Sequence, residues 1–129
     1  MEQNNKNIIV TKTIEFAVGI IVFAETLEAN RKYVIAKQII RSGTSIGANV
    51  NEAVSSQSKK DFVYKLSIAL KESRETKYWL RLLKDSDYFE IIKFTKLNQD
   101  CDEIIKILSS IILTTKARYF KNPGATHNS

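Results

Sequence analysis

The sequence predicts an all-α protein, an antiparallel up-down-up-down four-helix bundle. Three observations carry this. The 129 residues include one Pro and four Gly, too few breakers for many short strands and turns. Apolar residues recur at three- and four-residue steps through four long segments. The connections between those segments are short and polar, so consecutive helices reverse direction. One domain is expected, a bundle over residues 1–121, with a loose tail over 122–129, "NPGATHNS".

The first helix is expected from Thr11 to Ala29, with Asn30 as its stop. Ile14, Ala17, Val18, Ile21 and Ala24 make one apolar row, and Phe16, Ile20, Phe23 and Leu27 make another. The second helix is expected from Tyr33 to Ser55. Ile35, Ile39, Ser42, Ile46, Asn49 and Ala53 fall on one face. The third opens on Ser58, a good N-cap with Asp61 three residues on, and runs to Lys84. Phe62, Leu66, Ala69, Ser73, Thr76, Leu80 and Leu83 form its core row. Asp85–Tyr88 is read as a turn. The fourth, Glu90 to Phe120, carries the stripe Phe94, Leu97, Cys101, Ile104, Leu108 and Ile111 or Ile112.

Gly43 and Gly47 lie inside the second helix, in "RSGTSIGANVNEA". A Walker loop needs Lys and then Ser or Thr after its last Gly, and Ala48 and Asn49 stand there instead. A dinucleotide loop needs a preceding strand and a third Gly, and neither is present. Each helical Gly costs about 1 kcal/mol relative to Ala. Close approach of another helix, beside Ala48 and among Ile39, Ile46 and Val50, is the expected reason for both. Asn49 is read as buried in the core row, within a polar network of Gln38, Arg41, Ser45, Asn49, Glu52 and Glu75. That network is taken as structural rather than catalytic, because no activated nucleophile accompanies it.

The net charge is +6 and the pI about 9.4, a balance that favours polyanions or an acidic protein partner. The segment Lys59–Lys84 holds eight Lys or Arg against three Asp or Glu. Arg74, Lys77, Arg81 and Lys84 step along it as a basic ridge, and Lys116, Arg118 and Lys121 form a second cluster beside Tyr119 and Phe120. These are the candidate nucleic-acid contacts, for RNA or DNA. The plain alternative is a solvated face with surface pairs such as Glu75 with Lys71 and Glu72 with Lys77.

No enzyme is expected. His127, the only histidine, lies in the tail, and one His with one Cys makes no standard zinc site. No catalytic residue, cofactor or metal is assigned. The single cysteine allows no internal disulfide and fits a reducing compartment. The start of the chain lacks a signal-peptide pattern. The longest uncharged apolar run, Phe16–Ala24, is nine residues. A cytoplasmic location without membrane contact is expected.

Residues Gln38 to Leu83 resemble the four-helix-bundle family encoded in intervening sequences of 23S ribosomal RNA genes. Gln38, Arg41, Ser45, Ile46, Asn49 and Glu52 carry the likeness on the second helix, and Ser58, Phe62, Leu66, Ala69 and Glu75 on the third. The family's pattern Ser-Ile-x-x-Asn-Ile-Ala-Glu-Gly reads here Ser45-Ile46-Gly47-Ala48-Asn49-Val50-Asn51-Glu52-Ala53, so Asn51 and Ala53 differ. The family is similar to the accessory variability protein of diversity-generating retroelements. The resemblance implies a homopentamer that binds nucleic acid or serves a protein partner such as a reverse transcriptase. The residues agree on one point. Tyr64, Ile68, Trp79 and Leu82 form a second apolar row on the third helix, expected as an oligomer interface unless a crooked bundle buries it.

Overall fold

The computed structural model describes residues 2–86 and 91–120. Four helices account for nearly all of them: α1 (Glu2–Ala29), α2 (Tyr33–Val54), α3 (Lys59–Asp85) and α4 (Ile91–Tyr119). They form a four-helix bundle. Helix α1 packs on α2, α2 on α3, α3 on α4, and α4 back on α1. Among the described residues, neither diagonal pair meets through its backbone. The contacts have a clear register. Gly43 faces Ile20 and Gly47 faces Thr13. Ser42 bonds Thr76, and Glu52 pairs with Lys65. Lys12 pairs with Glu103, while Gly19 lies against Leu97.

Helix α1 starts at Glu2, not Thr11. Its first turns are polar, so periodicity gives no signal there, yet Ile9 is buried in the core. The end of α1 is closed by backbone bonds rather than by Asn30 alone. Arg31 donates its N–H to the Glu28 carbonyl at 2.9 Å, and Lys32 to the Leu27 carbonyl at 2.8 Å. This is a Schellman closure, which needs a left-handed residue at its centre. Arg31 fills that place with φ 63°. A side chain there costs about 1–2 kcal/mol that glycine avoids. Arg31→Gly is therefore expected to stabilise the fold by about 1 kcal/mol in urea unfolding.

The α3 cap follows the sequence: Ser58 Oγ accepts from the Asp61 N–H at 3.0 Å. Residues 87–90, with half of the expected turn and Glu90, lie outside the described residues, as do Lys121 and the 122–129 tail.

The core rows of α3 and α4 are buried as their spacing predicts. On α1 one of the two rows goes in whole, and of the other only Ala24 is buried. Phe16, Ile20, Phe23 and Leu27 are buried, whereas Ile14 and Val18 are 50% and 57% exposed. The nine-residue run understates this helix. Lys6–Ala29 is long and apolar enough to cross a membrane by length and composition, and in the bundle its inner row lies against the other helices.

The two α2 glycines face α1. A Cβ on Gly43 would sit 2.9 Å from two carbons of Ile20, so α1 passes where a side chain would stand. Ala48 is exposed and takes no part in this contact.

One buried polar contact joins α2 to α3. Thr76 Oγ1 lies 2.8 Å from Ser42 Oγ and 2.9 Å from the Glu72 carbonyl. Thr76→Val keeps the shape but strands the Ser42 hydroxyl, with an expected cost of about 1–3 kcal/mol. Adding Ser42→Ala removes the stranded group, and urea midpoints should recover most of the loss.

Candidate functional site

Charged side chains on α2 and α3 meet along an outer seam between the two helices. Arg41 stands at its upper end, facing two carboxylates one helical step apart. Its guanidinium reaches Glu72 Oε1 at 3.3 Å and also bonds Glu75. Its Nε donates to Gln38 Oε1 at 3.3 Å. Glu75 accepts a second bond, from Trp79 Nε1 at 3.0 Å. So Gln38, Arg41, Glu72, Glu75 and Trp79 form one connected cluster. A guanidinium suits this task because its planar fork serves several oxygens at once.

The other expected members of the network stand apart. Ser45 Oγ donates to the Arg41 carbonyl at 2.6 Å, and Asn49 Nδ2 to the Ser45 carbonyl at 2.9 Å. Asn49 is half-buried, not in the core row as expected. Asn49 lies just outside the stripe marked by Ile46, Val50 and Ala53, so its amide folds back on its own helix. Glu52 closes the lower end of the seam with Lys65 at 2.7 Å. Accepting that hydrogen bond, and then its charge, raises the Lys65 pKa above the ordinary lysine value. Glu72 joins the cluster although sequence spacing pairs it with Lys77. A signal for its membership exists, because Glu72, Glu75 and Trp79 follow one another at helical steps on one side of α3.

The basic ridge lies on the other flank of α3, toward α4. It is not uniform. Lys77 is half-buried and bonds Asn98 Oδ1 at 2.8 Å and Asp102 Oδ1 at 2.8 Å. Arg81 pairs with Asp85 at 2.9 Å. Arg74 and Lys84 are exposed, and among the described residues no carboxylate pairs with them. At one end of the bundle Lys116 and Arg118 are exposed beside Tyr119 and Phe120.

The second apolar row of α3 is divided as well. Tyr64 is 61% exposed and Leu82 is also exposed. Ile68 and Trp79 are half-buried, and Trp79 packs against the core. Trp79 is thus held by its own subunit more than the row alone suggests. A richer apolar surface lies on α1, where Ile14, Val18, Ile21 and Val22 all stand exposed.

Two further features bear on chemistry. A groove of about 490 Å³ between α1 and α4 has an apolar floor including Gly19, Val22, Leu97 and Ile104. Ion pairs Lys12–Glu103 and Lys96–Asp100 lie along its rim. Cys101 is buried, and its thiol bonds the Ser73 carbonyl at 3.3 Å. Burial pushes that thiol up to about 12. Near pH 8.5 a free cysteine is about half ionised. A disulfide reagent at that pH should label Cys101 in denaturant and leave the folded protein unlabelled over the same minutes. Among the described residues, no three His, Cys, Asp or Glu side chains converge as a metal site.

The sequence model of the 23S rRNA-intervening sequence proteins matches residues 5–110. The chain belongs to that family. The fold is also similar to the crystal structure of a protein of unknown function from Bacteroides thetaiotaomicron VPI-5482, of the S23 ribosomal protein family. The two share 48% identity and superpose with a TM-score of 0.80, over 84% of this chain and 97% of that one. No curated protein matches the chain. The match to the 23S rRNA-intervening sequence family takes in the whole of α2 and α3, and with them the Arg41 cluster and the basic ridge.

Proposed function

We propose that this member of the 23S rRNA-intervening sequence family is a non-enzymatic, antiparallel up-down-up-down bundle. In this reading it assembles as a cytoplasmic homopentamer and binds RNA or DNA through basic helix faces. The observation that carries it is the separation of charge around α3. Glu72 and Glu75 turn to Arg41 on the α2 side. The opposite flank keeps Arg74 and Lys84 facing solvent, with Lys77 and Arg81 beside them. An outward cationic flank suits phosphates and needs no base recognition. Five copies would multiply a weak contact.

Assembly is supported by where the spare apolar surface lies. Helices α1 and α3 occupy diagonal corners, so their outward faces look in different directions. One face offers Ile14, Val18 and Ile21, the other Tyr64, Tyr78 and Leu82. Two unlike patches on one subunit favour head-to-tail contacts that close into a ring. The absence of catalysis is supported by the engagement of the reactive groups. Of the seam carboxylates, Glu72 and Glu75 are held by Arg41 and Glu52 by Lys65, and the Cys101 thiol is buried in its protonated form.

Anisotropy of a labelled oligonucleotide at rising KCl tests the binding. Affinity should fall steeply and log-linearly with salt. No binding to any RNA or DNA at low salt overturns the reading. Light scattering tests the assembly, with five times the 14.7 kDa chain mass expected. A second reading, an accessory subunit for a nucleic-acid enzyme such as a reverse transcriptase, is favoured by the breadth of the exposed α1 face. It predicts loss of that partner, with nucleic-acid affinity unchanged, when Val18 and Ile21 become Asp.

A further inference from the structure

At one end of the bundle α1 and α3 begin and α4 stops. Lysines there sit over aromatic rings. Lys59 Nζ is 4.7 Å from the centre of the Tyr119 ring and 6.0 Å from that of Phe62. Lys6 Nζ is 4.9 Å from the Phe62 ring. Lys116 and Arg118 stand exposed on the last turn of α4. Phe62 is buried, but Tyr119 and Phe120 are 44% and 42% exposed.

Helix dipoles explain only part of this charge. Cations suit the α4 C-terminus, yet Lys59 and Lys60 stand at the α3 N-terminus, where the dipole opposes them. Asp61 is the acidic residue of that turn. Two helix starts with cations added to them, beside exposed rings, make a surface fit for an anion that also carries flat apolar faces. Nucleic acid has both, but a duplex hides its base faces in the stack. Only a single strand can offer phosphates and bases together.

We infer that this end of the bundle binds a single strand of nucleic acid, its phosphates on Lys6, Lys59, Lys116 and Arg118 and its bases against Tyr119 and Phe120. The inference rests on the nucleic-acid reading above and adds to it the form of the strand and the place where bases are gripped. On the α3 ridge the exposed Tyr78 ring stands between Arg74 and Arg81 and packs edge-on with Trp79 at 5.1 Å, whereas Tyr119 and Phe120 stand at the open end of the bundle.

The test uses the full chain and fluorescein-labelled oligo(rU), oligo(dT) and a mixed-sequence duplex of equal length, by anisotropy at low salt. Both single strands should bind about tenfold or more tighter than the duplex. In Tyr119→Ala/Phe120→Ala the single strands should weaken to the duplex level, while duplex affinity stays. Tyr119→Phe should keep the preference. Circular dichroism of the double variant guards against unfolding, which exposed positions make a minor risk. Tighter rU than dT names RNA as the strand, and the reverse names DNA. A double variant that keeps its single-strand preference overturns this inference and leaves the nucleic-acid reading standing. So does displacement of the strand by phosphatidylglycerol vesicles through Tyr119 and Phe120, which would mark a membrane-facing surface. No binding of any of the three probes removes both.

Discussion

Gly43→Ala is expected to destabilise the bundle by about 1–3 kcal/mol, even though alanine is the better helix former. The added Cβ would meet Ile20 Cγ1 and Cγ2 at 2.9 Å and Ile20 Cβ at 3.3 Å. These atoms lie close to the α1 backbone and belong to a fully buried side chain. They cannot swing aside, so α1 and α2 must part. Gly43→Leu should be worse still and abolish cooperative unfolding. Gly47→Ala is the control. Its Cβ would meet Thr13 Oγ1 at 3.3 Å and the Thr13 Cβ and carbonyl oxygen at 3.4 Å, a tight contact relieved by a shift of a few tenths of an ångström, and the propensity gain of about 1 kcal/mol should offset that squeeze. Near-neutral Gly47→Ala beside a costly Gly43→Ala is the expected pattern in urea unfolding. A cycle with Ile20→Ala adds a check. The double variant should be more stable than the two single losses predict, because the truncated side chain vacates the space that the new methyl needs.

Charge reversal at Arg74 and Lys84 should weaken nucleic-acid binding about a hundredfold at low salt, roughly tenfold per site, and flatten the dependence on salt. Both side chains face solvent on the α4 flank of α3, and no carboxylate among the described residues competes for them. Arg81→Glu should do less to binding, because Arg81 already shares its charge with Asp85 at 2.9 Å. Lys77→Glu should act mainly on stability, since it would place a carboxylate beside Asp102. Equal losses at all four positions would mean that net charge alone, not an exposed subset, sets the affinity. Oligonucleotide anisotropy on all four variants separates these outcomes.

The position of a side chain around its own helix is legible in the sequence. Leu66, Ala69, Ser73, Thr76 and Leu80 share a row by spacing, and all are buried. Ser58 is readable as a cap because capping is settled within a few residues. The α2 glycines are readable as a close approach, but α1 is not readable as the element that approaches. The resemblance names the family, and the match over residues 5–110 bears it out.

What depends on a neighbouring helix is not legible there. Helix α1 has two apolar rows of similar strength, and nothing local says which one turns inward. Packing against α2 and α4 selects Phe16, Ile20, Phe23 and Leu27, and leaves Ile14 and Val18 in solvent. Charges behave the same way. Periodicity puts Glu72 and Glu75 within reach of lysines on their own helix, but Arg41 from α2 takes both. Helical repeat is a property of one backbone and can be read from one segment. The choice of buried face and of ionic partner is a competition between segments, decided only when the four helices occupy their places together.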